Sequence, residues 1–159
     1  METLICDNIR IRAFTHDDKR LVEDFFNQMS GETRAFFDRN EGNRGTALRF
    51  FDKSVKHTDY FLAEYEGKMV GYVFLWDMDS SVPWLGIAVH DDFKGKKLGR
   101  KLMAFAVQYA TEKRKGGILL TTHVANIRAL ALYERCGFLY LGTHSSGERL
   151  YLLRFGDYL

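Results

Sequence analysis

Residues 84–89 read Trp-Leu-Gly-Ile-Ala-Val, an apolar run with no polar alternation. A strand buried on both faces needs such a run. Leu98, Leu102, Phe105, Ala106 and Tyr109 then recur at helical spacing with polar residues between them. Residues 90–97, His-Asp-Asp-Phe-Lys-Gly-Lys-Lys, lie between the two patterns. A strand therefore ends, a loop turns, and a helix begins. The start of a helix offers unpaired N–H groups and the positive end of its dipole, which together favour an anion. Lys94, Lys96, Lys97, Arg100 and Lys101 crowd this turn, and Gly95 and Gly99 let backbone approach a ligand. Taken alone, the loop is either a phosphate cradle or a solvated basic turn. It is not a Gly-x-x-x-x-Gly-Lys-Ser/Thr loop, and no Gly-x-Gly-x-x-Gly fingerprint occurs.

The rest of the chain supplies a core for that unit. With 159 residues, 46% of them hydrophobic and 28% charged, one globular domain is expected over residues 1–159. Residues 8–14 alternate as a strand with one wet side, and Thr15 or Asp17 caps a helix running to Met29. A second helix is read from residue 46 to about 55. A hairpin follows, with strands 59–65 and 69–76 about a Glu66-Gly67-Lys68 turn. After the central strand comes a helix from residue 98 to about 115, stopped by Gly116-Gly117. Strand 118–122, helix 126–136, strand 138–143 and strand 149–155 complete the chain. This order predicts an α/β (α+β) domain in three layers, a mixed sheet covered by helices on both faces.

Several classes are disfavoured by composition. A net charge of +2 is too small for bulk nucleic-acid binding, so no nucleic-acid partner is expected. Cys6 and Cys136 make neither a disulfide framework nor a zinc spacing, and no metal is expected. No apolar run nears the ~20 residues of a membrane span. The first residues lack a basic region followed by an apolar one, so the expected location is cytoplasmic.

A second constellation lies in Asn126-Ile-Arg-Ala129-Leu-Ala-Leu-Tyr133-Glu-Arg-Cys-Gly137-Phe138. Asn126, Ala129 and Tyr133 fall at i, i+3 and i+7, on one helix face. Read alone, they are helix packing, with Asn126 as N-cap and Tyr133 at the core edge. Beside the basic loop they acquire a second meaning. The chain resembles the GNAT N-acetyltransferase superfamily from its first strand to its last, most sharply over residues 84–138. Asn-x-x-Ala-x-x-x-Tyr-x-x-x-Gly-Phe is matched at every position. The loop motif, Gln/Arg-x-x-Gly-x-Gly/Ala, is met with departures: Lys94 stands at the Gln/Arg position and Lys97 where the family usually has glycine, before Leu98-Gly99.

The resemblance implies a mixed, mostly antiparallel sheet of about seven strands flanked by four helices, and acetyl-CoA as co-substrate. It would place a pyrophosphate on the amides of Gly95, Lys96, Lys97, Leu98, Gly99 and Arg100, with Lys94 beside them. The pantetheine arm would run along Ile87, Ala88 and Val89, where family members splay two parallel strands. Asn126 and Ala129 would border the arm, and Tyr133 would meet the sulfur as proton donor to the leaving thiolate. The acceptor would be a primary amine of a small molecule or peptide, attacking directly. A possible homodimer is the commonest soluble assembly. The apolar strand carries no carboxylate, so Glu64, Asp77, Asp79, His123 and a water chain all stand as candidates for the base. Cys136 is read as a packed thiol rather than the partner of His123. Phe36, Phe37, Phe50, Phe51 and Trp76 either line the acceptor pocket or fill the core, and acceptor loops are expected over residues 32–45 and 145–147. The alternative is a catalytically silent CoA-binding GNAT-like sensor or interaction module.

Overall fold

The computed structural model of the protein describes residues 8–28, 42–52, 55–95 and 97–156, with the backbone alone for 42–46. Strand β1 is Arg10–Ala13, and a 3-10 turn at His16–Asp18 leads into α1, Lys19–Asn27. The N-cap of α1 is Asp18, not Thr15 or Asp17; Thr15 starts the 3-10 turn, and its hydroxyl donates to Asp18 Oδ2 at 3.1 Å instead of accepting from a backbone amide. The Thr15 amide donates to Asp18 Oδ2 at 2.7 Å, and the Asp18 amide donates to the Thr15 carbonyl at 3.0 Å. Helix α2 is Gly42–Asp52, so it begins and ends earlier than the residue pattern predicts. Glycine disfavours a helix interior by about 1 kcal/mol; burying Ala47 completely beside Phe14, Phe25 and Tyr60 works in the other direction.

Strands β2 (Asp59–Tyr65) and β3 (Lys68–Trp76) form the expected hairpin. Glu66 and Gly67 both have positive φ, 50° and 76°, the turn whose twist matches paired strands. Lys68, expected in the turn, already belongs to β3. The central strand β4 is Trp84–Val89, a 3-10 turn covers Asp91–Phe93, and α3 is Leu98–Glu112. Then come β5 (Gly117–Thr122), α4 (Ile127–Arg135), β6 (Leu139–Thr143) and β7 (Arg149–Arg154).

The seven strands lie in the order β1-β2-β3-β4-β5-β7-β6. Every neighbouring pair is antiparallel except β4 with β5. Among the described residues four α-helices cover the two faces. Leu98, Leu102, Met103 and Ala106 of α3 and Tyr133 of α4 pack on Val73, Leu85, Ile87, Ile118 and Leu120. On the opposite face Val22, Phe25 and Phe26 of α1 and Ala47 of α2 pack on Tyr60, Leu62, Tyr72 and Phe74. The three layers are those expected, and β4 contributes to both cores, with Leu85 and Ile87 on one side and Ala88 on the other.

The aromatics of the second core settle one open reading. Phe50 and Phe51 meet Phe14 edge-on and stacked, at 5.5 and 6.2 Å, and Trp76 packs against the same cluster. They serve the core. Phe36, Phe37, Cys6 and acceptor-loop residues 32–41 lie outside the described residues.

At the β1 edge an ion cluster ties three segments together. Arg12 donates to both oxygens of Asp18, at 2.7 and 2.8 Å, and its Nε donates to Glu64 at 2.9 Å. Arg10 reaches Glu64 at 3.5 Å. The guanidinium hydrogen bonds hold both carboxyls below the usual range, against the opposing effect of burial.

Candidate functional site

Strands β4 and β5 pair at a single position, Trp84 with Leu119, where the Leu119 amide donates to the Pro83 carbonyl at 2.9 Å. Past that rung β4 stays in register with β3, up to Val89 opposite Gly71. Likewise β5 stays paired with β7 up to Thr122 opposite Arg149. Each strand is thus held on its outer side while the two part on the inner side. Among the described residues, the edge of β4 that faces β5 has no strand partner beyond that rung, from Leu85 to Val89.

A cleft of about 900 Å3 opens at this divergence. Ile87, Ala88 and Val89 form one wall; Lys94, Gly95, Lys97, Gly99 and Arg100 form the rim; Asn126, Ala129 and Tyr133 of α4 form the other wall. The structure therefore brings together residues that the sequence separates by more than thirty positions. Leu98 is placed differently. It is fully buried in the core, within about a methyl group of Gly71, and is not among the residues that line the cleft. Lys96 lies outside the described residues.

Two left-handed residues make the turn. Gly95 has φ +78° and Lys97 has φ +66° with ψ 8°. For an L-residue that conformation costs roughly 1–2 kcal/mol, so Lys97 adopts the geometry of a glycine at a penalty. Lys97 is also the N-cap of α3 and makes no side-chain cap, because an ammonium has no acceptor to offer. The first amides of α3 are therefore not claimed by a capping side chain. Gly99 answers a different need. A Cβ there would stand 3.2 Å from Leu132 Cδ2, so glycine lets α3 lie close against α4.

The charges around the cleft are lopsided. Lys94 pairs with Asp91 at 3.0 Å, the single carboxylate residue on the lining among the described residues. Lys97, Arg100, Arg128 and Arg135 also line it. Arg128 and Arg135 were not singled out from the sequence, although their spacing of seven puts both on the face that carries Tyr133's neighbours. Lys101 turns elsewhere: its Nζ donates to the Ile9 carbonyl at 2.8 Å, tying α3 to the start of β1.

Asn126 caps α4 as expected, its Oδ1 accepting from the Ala129 amide at 3.4 Å. Tyr133 is buried between Phe138 and Tyr151, with ring centroids 5.8 and 6.1 Å away. Burial pushes its phenol well above the usual range, and the nearby ionisable groups of Glu148 and Cys136 add to that. The shift favours the protonated phenol at neutral pH. Cys136, at the end of α4, is a free, half-buried thiol raised by burial. The nine residues of α4 separate it from His123, roughly 13 Å of helix, so the two form no nucleophilic pair.

None of the carboxylates considered from the sequence lines the cleft. Glu64 is locked to Arg12. Asp77 and Asp79 lie in the connection before β4, at its paired end, whereas the cleft opens at its far end. His123 follows β5 directly, next to the lining residues Ala125 and Asn126, and its Nδ1 accepts from the Ala125 amide at 3.0 Å. Among the described residues there is no cluster of His, Cys, Asp and Glu suited to a metal, and no helix is long and apolar enough to cross a membrane.

Comparison with known proteins follows this geometry. The family model for the acetyltransferase (GNAT) family matches residues 19–138. A candidate ribosomal protein bS18-alanine N-acetyltransferase of Bacillus subtilis (strain 168) is 28% identical over 81 residues, 51% of this chain and 54% of that protein. N-acetylaspartate synthetase of Xenopus tropicalis is 30% identical over 112 residues, 62% of this chain and 41% of that protein. The chain thus spans about half the length or less of these relatives. Among solved structures, PaiA N-acetyltransferase of Thermoplasma acidophilum in complex with coenzyme A shares the fold with a TM-score of 0.74 at 17% identity, over 92% of this chain and 98% of that one. Strands β1, β6 and β7 extend the same sheet beyond the matched residues. A one-rung parallel pair, a left-handed basic turn before α3 and the Asn126–Phe138 helix occur here within a sequence that matches the family over most of its length: the chain belongs to the acetyltransferase (GNAT) family.

Proposed function

We propose that the protein is an acetyl-CoA-dependent N-acetyltransferase, a single domain over residues 1–159, that acts on a primary amine of a small molecule or peptide. The divergence of β4 from β5 beside a basic turn carries this reading. The residues present suit the co-substrate. A strand edge free from Leu85 to Val89 can pair with the amides of a pantetheine arm, as an added strand would. The uncapped start of α3, with Lys97 and Arg100, suits a pyrophosphate. Asn126 and Ala129 border the arm, and Tyr133 stands at the inner wall.

Acetyl-CoA, when bound, supplies an activated acetyl group as its thioester. The chain's own groups then have three tasks. An amide on the free edge of β4, at Val89 or its neighbour, polarises the carbonyl by donating to its oxygen. Tyr133, protonated because it is buried, gives its proton to the departing sulfur. The amine, an ammonium near neutral pH, must lose a proton before it can attack. The acceptors in the names of the two relatives, an alanine of a ribosomal protein and aspartate, are themselves primary amines.

Acetyl-CoA should raise the melting temperature, since a ligand selective for the folded state adds about 2.7 kcal/mol at one hundred times its Kd. No shift at millimolar acetyl-CoA would overturn the reading. A second reading, a module that binds CoA without turnover, draws support from the distance of Glu64, Asp77 and Asp79 from the cleft. Thiol release across a panel of amines separates the two, because the module releases none.

A further inference from the structure

We propose that Glu148 is the carboxylate that receives the acceptor's ammonium group and takes its proton. The inference rests on the acetyl-transfer reading and supplies the base missing from it.

Its position follows from strand register. Glu148 immediately precedes β7, whose first residue, Arg149, pairs with Thr122 at the end of β5 and with Thr143 of β6. Strand β5 is one side of the gap, so Glu148 stands level with the gap's open end, just beyond the residues that line the cleft. The turn that carries it does not project away from the sheet. The His144 amide donates to the Glu148 carbonyl at 2.8 Å, and the His144 ring meets Trp84 edge-on at 5.9 Å. In the sheet, β5 and β7 separate β4 from β6. A ring contact from His144 to Trp84 therefore brings the β6–β7 turn back across the sheet toward β4, at the rung from which the two strands part.

The Glu148 carboxylate is also within electrostatic range of the Tyr133 phenol, whose ionisation it opposes. Among the described residues it makes no hydrogen bond and no ion pair. The adjacent Arg149 is engaged elsewhere, its guanidinium 5.2 Å from the centre of the Tyr140 ring. The other titratable neighbours are held too: His144 Nδ1 accepts from the Ser146 amide at 3.1 Å, and His123 Nδ1 from the Ala125 amide. A bound ammonium would give this carboxylate an ion-pair partner.

The step balances. Glu148 takes one proton from the ammonium, leaving a neutral amine. The nitrogen lone pair bonds to the carbonyl carbon, and the carbon–sulfur bond breaks with its electron pair on sulfur. Tyr133 protonates the sulfur and regains a proton from the nitrogen through solvent. Glu148 returns its proton to solvent, so the products are the N-acetylated amine, free thiol and one proton.

The test compares thiol release from acetyl-CoA by the wild type and E148Q, with a panel of alkylamines and with hydroxylamine. Hydroxylamine is unprotonated at neutral pH and needs no base to become a nucleophile. E148Q should lose at least about a hundredfold in kcat with the alkylamines yet stay within about threefold with hydroxylamine. Its acetyl-CoA melting shift should be unchanged. E148D should recover part of the alkylamine rate, which a merely structural glutamate would not require. Equal losses with both nucleophiles, or no loss with alkylamines, overturn the role of Glu148 while the melting shift leaves the acyl-CoA reading standing. No wild-type melting shift overturns both, as does binding without thiol release for any nucleophile.

Discussion

Trp84 and Leu119 form the one rung shared by β4 and β5, and the whole cleft lies beyond it. Because β3 and β7 hold the two strands from outside, the gap is a built feature of the sheet and not a frayed edge. Backbone N–H and C=O groups of β4 stay available there, and Tyr133 of α4 lines the same cleft.

Replacing Tyr133 with Phe keeps the ring packing against Phe138 and Tyr151 and removes only the proton donor. We expect kcat to fall about a hundredfold, within the ordinary range for a general acid, while acetyl-CoA affinity by calorimetry changes less than about twofold. Unchanged turnover would remove the phenol from the reaction.

Lys97 holds a left-handed backbone that glycine adopts without penalty. Lys97→Gly should stabilise the fold by about 1 kcal/mol, read as a higher urea midpoint at unchanged slope. The same change deletes a cleft cation, so acetyl-CoA affinity should fall and become less sensitive to salt. Stability and affinity moving in the same direction would contradict this account of the turn.

The Arg12–Asp18–Glu64 cluster predicts how stability depends on acid. Both carboxyls are lowered in the folded protein by hydrogen bonds from Arg12. Their contribution is therefore fully present above the unfolded carboxylate range near ~4 and is lost as pH falls through the lower folded values. Arg12→Met leaves Asp18, 5% exposed at its side chain, without its partner. A loss of about 3 kcal/mol at neutral pH is expected, with a flatter acid limb in denaturation from pH 6 to 3. An acid limb as steep as the wild type's would show that other carboxylates dominate.

Tyr151 is 1% exposed, and its hydroxyl has no hydrogen-bond partner among the described residues. An unsatisfied buried hydroxyl costs about 1–3 kcal/mol, so Tyr151→Phe should raise the melting temperature. A lower one would reveal a hydrogen bond to that oxygen.

What the sequence alone determines here is local. The apolar run before a glycine-and-lysine turn specifies a buried strand feeding a helix, because burial and helix start signals act over a few residues. The spacing of Asn126, Ala129 and Tyr133 specifies one helix face for the same reason, and Asn126 and Tyr133 are found where that spacing puts them. The Glu66-Gly67 hairpin is legible on equally short-range grounds.

Tertiary structure alone decides which charges are free. Lys101 looks like part of the basic turn, but its side chain reaches back to Ile9. Glu64 looks like an available carboxylate, but the fold brings it against Arg12. Glu148 shows no sign in the sequence, because its meaning comes from a turn that folds back until His144 meets Trp84. Backbone periodicity repeats along the chain and can be read there, whereas an ion pair or a free carboxylate depends on distances between strands that only the assembled sheet sets.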